Sequence, residues 1–496
     1  MNQNSKWHIP IQFFKHPVII TLLFCFILNL LTVFGAEKSF WLIILLGTAI
    51  LFKLKGNLNT RNIIILLSIG SFLLRVMYIL HTPYFSRQHD VAGIGNIDGH
   101  LAYIEYFFHN NFKLPDFDPR TKWQFYHPPL HHFISAVWLK LNSALGMNFE
   151  KAVESIQVLT LFYSCCINIL CYKIFKEFSL DKLALVIPYS IVCFHPTLSL
   201  LSGSINNDIL CLALMLAAIL YTIRWYKNPA MSTIIKIALF MGLSMMAKSS
   251  GILLAPAIAS VFLLKLAQRK DLFKKFIGQF TVFGLICIPL GVWWSVYNYT
   301  KYGMPLGYIP LIDDNPALYI GDYSVINRFF DFDPVQIKNI FICFGDPYKE
   351  HNILIYILKS SVFGEYHMKD TTVSMIISTI LFYINAFLIF ISLISMGVAT
   401  VKKSSKIDTN LKTFWIILYV TITASFIRFC FGHPLICTQD YRYIVPTFII
   451  GSLAIGFALD FLQAVRTKRA KFFAAITTAT TVVFCLSSIL VYLILD

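Results

Sequence analysis

Asp90, Asp98, Glu105, Asp116 and Asp118 fall in one polar stretch that follows a long apolar run. A carboxylate held at the mouth of a cavity can take a proton from an attacking hydroxyl or amine while another group departs. Competing structural roles are visible in the same residues. Asp98 precedes Gly99 to Phe108, whose Leu101, Ile104, Tyr106 and Phe108 make an amphipathic helix, and an acidic residue at a helix start caps free N–H groups. Asp116-Phe117-Asp118-Pro119 reads as turn chemistry, because Asp before Pro favours turns, and the same order returns as Asp331-Phe332-Asp333-Pro334. Pro128-Pro129 opens a second amphipathic stretch through Phe133, Val137 and Leu141, with Pro at a helix start. The density of His, Asp and aromatic residues here favours a packed structure over a solvated tail.

These loops must be held by something apolar. Of 496 residues, 57% are hydrophobic and 13% charged, far from the balance of a soluble protein. The apolar residues gather into runs: Val18 to Phe34, Phe40 to Phe52, Ile63 to Leu80, Ile156 to Ile174, Leu183 to Leu201, Ile205 to Ile223, Ile234 to Met246, Ile252 to Leu266, Phe276 to Trp294, Val373 to Val398, Phe414 to Phe429, Ile444 to Leu462 and Phe473 to Leu495. The expectation is an all-α polytopic membrane protein of about 13 transmembrane helices.

Basic residues set its orientation. Lys6 and Lys15, Lys53, Lys55 and Arg61, Lys173, Lys176 and Lys182, Arg224 and Lys227, Arg269 to Lys275, Lys402 to Lys406, and Arg466 to Lys471 occupy the N-terminus and alternate short connections, which the positive-inside rule puts on the cytoplasmic side. Two long connections, His81 to Ser155 and Tyr297 to Thr372, then lie on the outer face and carry interfacial helices. Ile353 to Phe363 reads as a re-entrant or interfacial helix lining the acceptor side. Arg75, about one turn from the outer end of its run, is expected to snorkel outward or pair with a loop carboxylate. The first run lacks a good cleavage site at Phe34-Gly35-Ala36 and is expected to stay as an anchor. The organisation expected is an N-terminal helical hairpin over 1–62, a core over 63–462 and a final transmembrane helix over 463–496. The net charge of +16 records membrane orientation and gives no support to a nucleic-acid partner. The 11 cysteines show no zinc spacing, and those inside the runs read as small core residues.

Several motifs occur in a telling order. They are Asp98-Gly99-His100-Leu101-Ala102-Tyr103-Ile104-Glu105-Tyr106, Leu114-Pro115, Phe125-Tyr126-His127-Pro128-Pro129-Leu130, Ser204-Ile205-Asn206-Asn207-Asp208, Ala247-Lys248-Ser249-Ser250-Gly251 and Arg442-Tyr443-Ile444-Val445-Pro446. From about Ile63 to Leu462 this set resembles the C-type glycosyltransferases, polytopic enzymes that take sugars from polyprenyl phosphates and include the protein O-mannosyltransferases and the lipid A aminoarabinose transferases. The bacterial members are the most similar. The resemblance implies a glycosyltransferase of the bacterial plasma membrane. Its site would face outward and move a hexose from a polyprenyl-phosphate sugar to a protein, lipid or glycan acceptor.

Asp98 matches the loop acid used as general base. The Asp-Glu pair common in the family is Asp98-Gly99 here, so Asp90 is the substitute carboxylate. Contacts to substrate are expected from His100, Tyr103, Tyr126, His127, Asn207, Asp208, Lys248, Gln439 and Arg442, with Lys248 and Arg442 on the donor phosphate. The His127 to His132 run is not read as a metal site. No cofactor is assigned, and a divalent metal is left open. Composition alone also admits a multi-span secondary transporter, which would place its polar cavity at mid-membrane, or a lipid-linked glycan polymerase or ligase.

Overall fold

The fold is that of a computed structural model that describes residues 16–33, 47, 50–51, 53–54, 56, 59–310, 317–368, 371–402, 407–465 and 467–493. Lys6, Lys15, most of the second apolar run, Phe34 to Ala36 and the Asp313-Asp314 pair fall outside the described residues.

The α-helices are α1 (Pro17–Val33), α2 (Thr60–His81), α3 (His100–His109), α4 (Leu130–Ala144), α5 (Phe149–Glu154), α6 (Ile156–Glu177), α7 (Leu183–Phe194), α8 (Pro196–Gly203), α9 (Asp208–Lys227), α10 (Met231–Ala247), α11 (Ala255–Gln268), α12 (Phe273–Tyr302), α13 (Val325–Phe330), α14 (Pro334–Lys338), α15 (Ile353–Phe363), α16 (Thr372–Val401), α17 (Thr409–Gly432), α18 (Pro446–Val465) and α19 (Lys468–Leu493). Among the described residues no strand forms, and one isolated bridge pairs Tyr319 with Leu435. Among the described residues, nine helical segments are long and apolar enough to cross a membrane, or ten if the bent pair α7 and α8 counts as one span. Both α1 and α10 are shorter apolar helices.

Polar signals end the helices where a chain in lipid needs them. Side chains of Asn59, Asn352, Thr371 and Asp408 accept first-turn N–H groups of their helices, and Gly303 closes α12 in the left-handed conformation. Small residues let backbones close up. A Cβ on Gly291 would lie 2.7 Å from the Met245 sulfur, and one on Gly456 would lie 2.9 Å from the Ala184 carbonyl. Glycine therefore sets the approach of α12 to α10 and of α18 to α7. On the outside, Leu285, Ile288, Phe390, Val420 and Leu486 are each more than half exposed, a face suited to acyl chains.

The run Leu183 to Leu201 is broken by 41° between α7 and α8, where Pro196 offers no N–H to continue the ladder. Arg75 answers that break. Its guanidinium donates to the Cys193 carbonyl (3.1 Å), the Ser164 carbonyl (3.1 Å) and Asn168 Oδ1 (3.3 Å), and it is fully buried. The expectation that Arg75 snorkels or meets a loop carboxylate is thus corrected. A carbonyl in the last turn before Pro196 lacks a helical partner, and a buried cation supplies one.

The first long connection is packed. α3, α4 and α5 enclose a core of Val91, Leu101, Tyr103, Ile104, Phe107, Phe125, Leu139 and Ile156, separate from the main one. Helices form at both stretches expected to be amphipathic, but Gly99 is the N-cap of α3 and Asp98 lies outside it. The two Asp-Phe-Asp-Pro turns have one physical cause, since Asp118 and Asp333 each cap a short helix begun by the following Pro. Ile320, Ile342 and Tyr356 of the second long connection form a small core with Ile436 of the last outer turn, the connection between α17 and α18, and the two are joined by Ile320 N–H to the Pro434 carbonyl and Ile436 N–H to the Leu318 carbonyl.

Candidate active site

Arg87, Asp90 and Ala92 all have positive φ (52°, 57° and 62°), a costly run for residues with a Cβ. It persists because the surroundings determine it. The Asp90 carbonyl accepts the His100 N–H (2.8 Å) at the start of α3, and the Val91 carbonyl accepts that of Leu101 (3.1 Å). Gln88 donates to the Gly203 carbonyl and accepts the Ile205 N–H, each at 2.8 Å. Gly99 is required here, because a Cβ on it would lie 2.6 Å from the Val91 carbonyl. The same crowding explains why no second carboxylate follows Asp98.

The Asp90 side chain points to Arg442, 3.0 Å away. Its side chain keeps 35% of its surface although protein surrounds it on most sides. Burial pushes its carboxyl up, but Arg442, His89 and Lys248 together outweigh this and hold it below its usual range. Arg442 also donates to the Tyr443 hydroxyl (3.0 Å) and lies over that ring (4.9 Å). Lys248 approaches the same ring (5.1 Å) and pairs with Asp208.

Each member is placed by a local device. Lys248 caps the C-terminus of α10 in extended backbone, and Gly251 follows because a Cβ there would lie 2.6 Å from Ser244 Oγ. Asp208 begins α9, its N–H taken by Asn206 Oδ1. Arg442 N–H is held by Asp440 Oδ1 (2.9 Å). Two carboxylates and two cations from four chain segments therefore meet around Tyr443. Beside them the buried Asn207 amide has no hydrogen-bond partner on either atom.

The remaining expected residues divide. Tyr126 and His127 lie close enough to feel the charges of Asp90 and Arg442. Burial, with Lys248 adding to it, brings the His127 pKa down to about 3, so it is neutral near pH 7. Burial and then His132 lower His100, whose Nδ1 lies 2.9 Å from His132 Nε2, so one ring donates and the other accepts. Tyr103 is wholly buried, with its ring centroid 4.5 Å from that of Phe125 and 4.3 Å from that of His132. Asp98 Oδ1 accepts the Trp123 N–H at 2.6 Å. Gln439 is consumed by structure, accepting from Arg328 (3.0 Å) and donating to the Glu350 carbonyl (2.9 Å). Sequence reasoning gives no role to Tyr443 or His89. The adjacency of His89 to Asp90 was the signal available.

Residues 126–294 match the model of the dolichyl-phosphate-mannose-protein mannosyltransferase family. No curated protein matches the chain in sequence. Among solved structures, the Archaeoglobus fulgidus oligosaccharyltransferase in complex with Zn and sulfate is similar at 14% identity and a TM-score of 0.50, over 87% of this chain and 53% of that one. The Cupriavidus metallidurans ArnT in the apo state matches at 12% identity and a TM-score of 0.34, over 78% and 77% of the two chains. The chain spans about half the length of the archaeal enzyme. The match over 126–294 and the similar helical fold agree with the resemblance that the loop and span motifs carry.

Proposed function

We propose that the chain transfers a sugar from a polyprenyl-phosphate donor to a nucleophilic acceptor at the outer membrane face, with Asp90 as general base. The observation that carries this reading is the meeting of Asp90, Asp208, Lys248 and Arg442 around Tyr443, with Asp90 still accessible.

In the step envisaged, the acceptor gives its proton to Asp90 and its oxygen or nitrogen bonds to the anomeric carbon. The bond from that carbon to the phosphate oxygen breaks, and its electron pair leaves with the lipid phosphate. Arg442 and Lys248 hold the charge that grows there, at first paired with Asp90 and Asp208 so that neither cation waits uncompensated. A single displacement inverts the anomeric carbon. The orphaned Asn207 amide and the hydroxyl of Tyr126 serve sugar hydroxyls, and the neutral His127 acts as a hydrogen-bond partner. His100 and Tyr103 act one layer behind, supporting His127 and the α3–α4 pair. Asp90 is preferred to Asp98 because Asp90 pairs with Arg442 at 3.0 Å, whereas Asp98 Oδ1 is engaged by the Trp123 backbone N–H. Lipid tails reach the site between spans of a bundle of about 13 helices in a bacterial plasma membrane, with 63–462 as the catalytic core between the 1–62 anchor and the final helix in 463–496. The acceptor is a protein, lipid or glycan.

The test supplies purified protein with a panel of radiolabelled polyprenyl-phosphate sugars. At least one label should move to an acceptor, and Asp90→Asn should abolish the movement. Transfer at the full rate by Asp90→Asn would remove the base.

A further inference from the structure

His89 Nδ1 lies 3.4 Å from Glu365 Oε2 and 3.8 Å from Asp440 Oδ2, and one ligand atom from each residue falls within 4.8 Å of the others. These atoms come from the first outer connection, the residue after Gly364 beyond α15, and the last outer turn. Two of them are orphans. His89 and Asp440 are 5% and 2% exposed, and neither His89 Nδ1 nor Asp440 Oδ2 has a hydrogen-bond partner. A buried polar atom without a partner calls for a reason, an unoccupied ion site among them.

We infer that His89, Glu365 and Asp440 bind a divalent transition-metal ion that clamps the first outer connection to the second and to the last outer turn. Donor atoms about 2.1 Å from a tetrahedral ion are about 3.4 Å apart, close to the separations seen. One imidazole with two carboxylates suits Mn²⁺ or Zn²⁺ over Ca²⁺, which takes oxygen ligands alone. The ligands are held in advance. Asp440 Oδ1 is fixed by the Arg442 N–H, the neighbouring Tyr441 N–H donates to Ser360 Oγ (3.0 Å), and Gly364 turns at φ 60° to present Glu365. Arg442 lies 3.8 Å from Asp440 but is already paired with Asp90, so two carboxylates and a dication leave the local charge balanced.

The readout is bound metal, which can be measured without sugar transfer. The full chain in detergent is stripped with a chelator, titrated with Mn²⁺ and separately with Zn²⁺, and followed by metal analysis, Mn²⁺ paramagnetic resonance and thermal unfolding. One equivalent should bind saturably and raise the Tm. His89→Ala and the near-isosteric Glu365→Gln, each confirmed as folded by size-exclusion chromatography, should weaken binding about hundredfold or more. Absence of saturable binding by the unsubstituted chain, or undiminished binding in either variant, would overturn the site. A chain that binds metal and moves no sugar would keep it while defeating the function proposed above.

Discussion

Two buried ionic clusters lie on either side of Gln439 and Asp440, and they are built on opposite rules. In the first, Lys359 and Glu350 are 0% and 1% exposed and bond at 2.8 and 3.0 Å. Glu350 also accepts from Cys343 N–H and Gln336, while Arg328 donates to the His351 carbonyl, the Cys430 carbonyl and Gln439. Both Glu350 oxygens and all three Arg328 nitrogens have partners. In the second, around Asp90 and Arg442, Arg442 Nε, Asp440 Oδ2, His89 Nδ1, the Tyr366 hydroxyl and the Asn207 amide have none. A closed network holds a loop in place; an open one keeps capacity for something that arrives. Charge and burial alone do not separate the two clusters; they differ in how many buried polar atoms lack a hydrogen-bond partner, five groups in the open one against Gln336 Oε1 in the closed one.

Breaking the closed cluster should cost the most stability. Lys359→Met leaves Glu350 buried and uncompensated and should destabilise the chain by about 3–5 kcal/mol, while adding Glu350→Leu should recover much of it. Thermal unfolding in detergent measures both, and a single substitution costing under about 1 kcal/mol would remove the distinction. In the open cluster the effect should fall on activity. Arg442→Lys keeps the charge but loses the planar guanidinium whose Nη2 serves both Asp90 and the Tyr443 hydroxyl, and should slow transfer about 100-fold with little change in Tm. A large Tm drop with matching loss of activity would make Arg442 structural.

A smaller, graded effect should come from acid. His100, His131 and His132 are buried and His127 is half-buried, and desolvation first of all lowers each of them, to about 3 for His127 and His131. Unfolded His titrates near 6.5, so between about pH 6.5 and 3 the unfolded chain binds more protons and stability rises with pH. The contribution is complete above about pH 6.5 and is lost as pH falls, at about 1.4 kcal/mol per pH unit for each neutral His. Unfolding midpoints at pH 8, 6.5 and 5 should therefore be similar for the first two and lower for the third, and His131→Gln should flatten the drop. Equal midpoints at pH 6.5 and 5 would show these rings protonated in the fold.

Apolar runs are readable because lipid imposes one rule on every span, and helices stand at twelve of the thirteen runs, the second lying largely outside the described residues. The bend at Pro196 was less legible, since it shows only when the backbone groups freed there are traced to Arg75. Residue types with chemical potential were visible, Asp90, Asp208, Lys248 and Arg442 among them. Their meeting was not, because Asp90 and Arg442 are separated by 352 positions and only the fold joins them. Asp98 drew attention through its motif, yet its carboxylate serves a backbone N–H. Gln439 looked like a ligand contact through its proximity to Arg442, but a neighbour in sequence can face another network. Lys359 within an apolar helix was a sign of a buried ion pair, because a lone charge there demands a partner.

The central claim is that the base is the carboxylate facing Arg442. Asp90→Asn and Asp98→Asn, prepared together and assayed with the same labelled polyprenyl-phosphate sugar, test it directly. Asp90→Asn should lose about 10²–10⁴-fold in transfer while eluting and unfolding like the parent chain, and Asp98→Asn should retain most of its activity. The reverse order, with Asp98→Asn inactive and Asp90→Asn near the parent rate, would contradict the account.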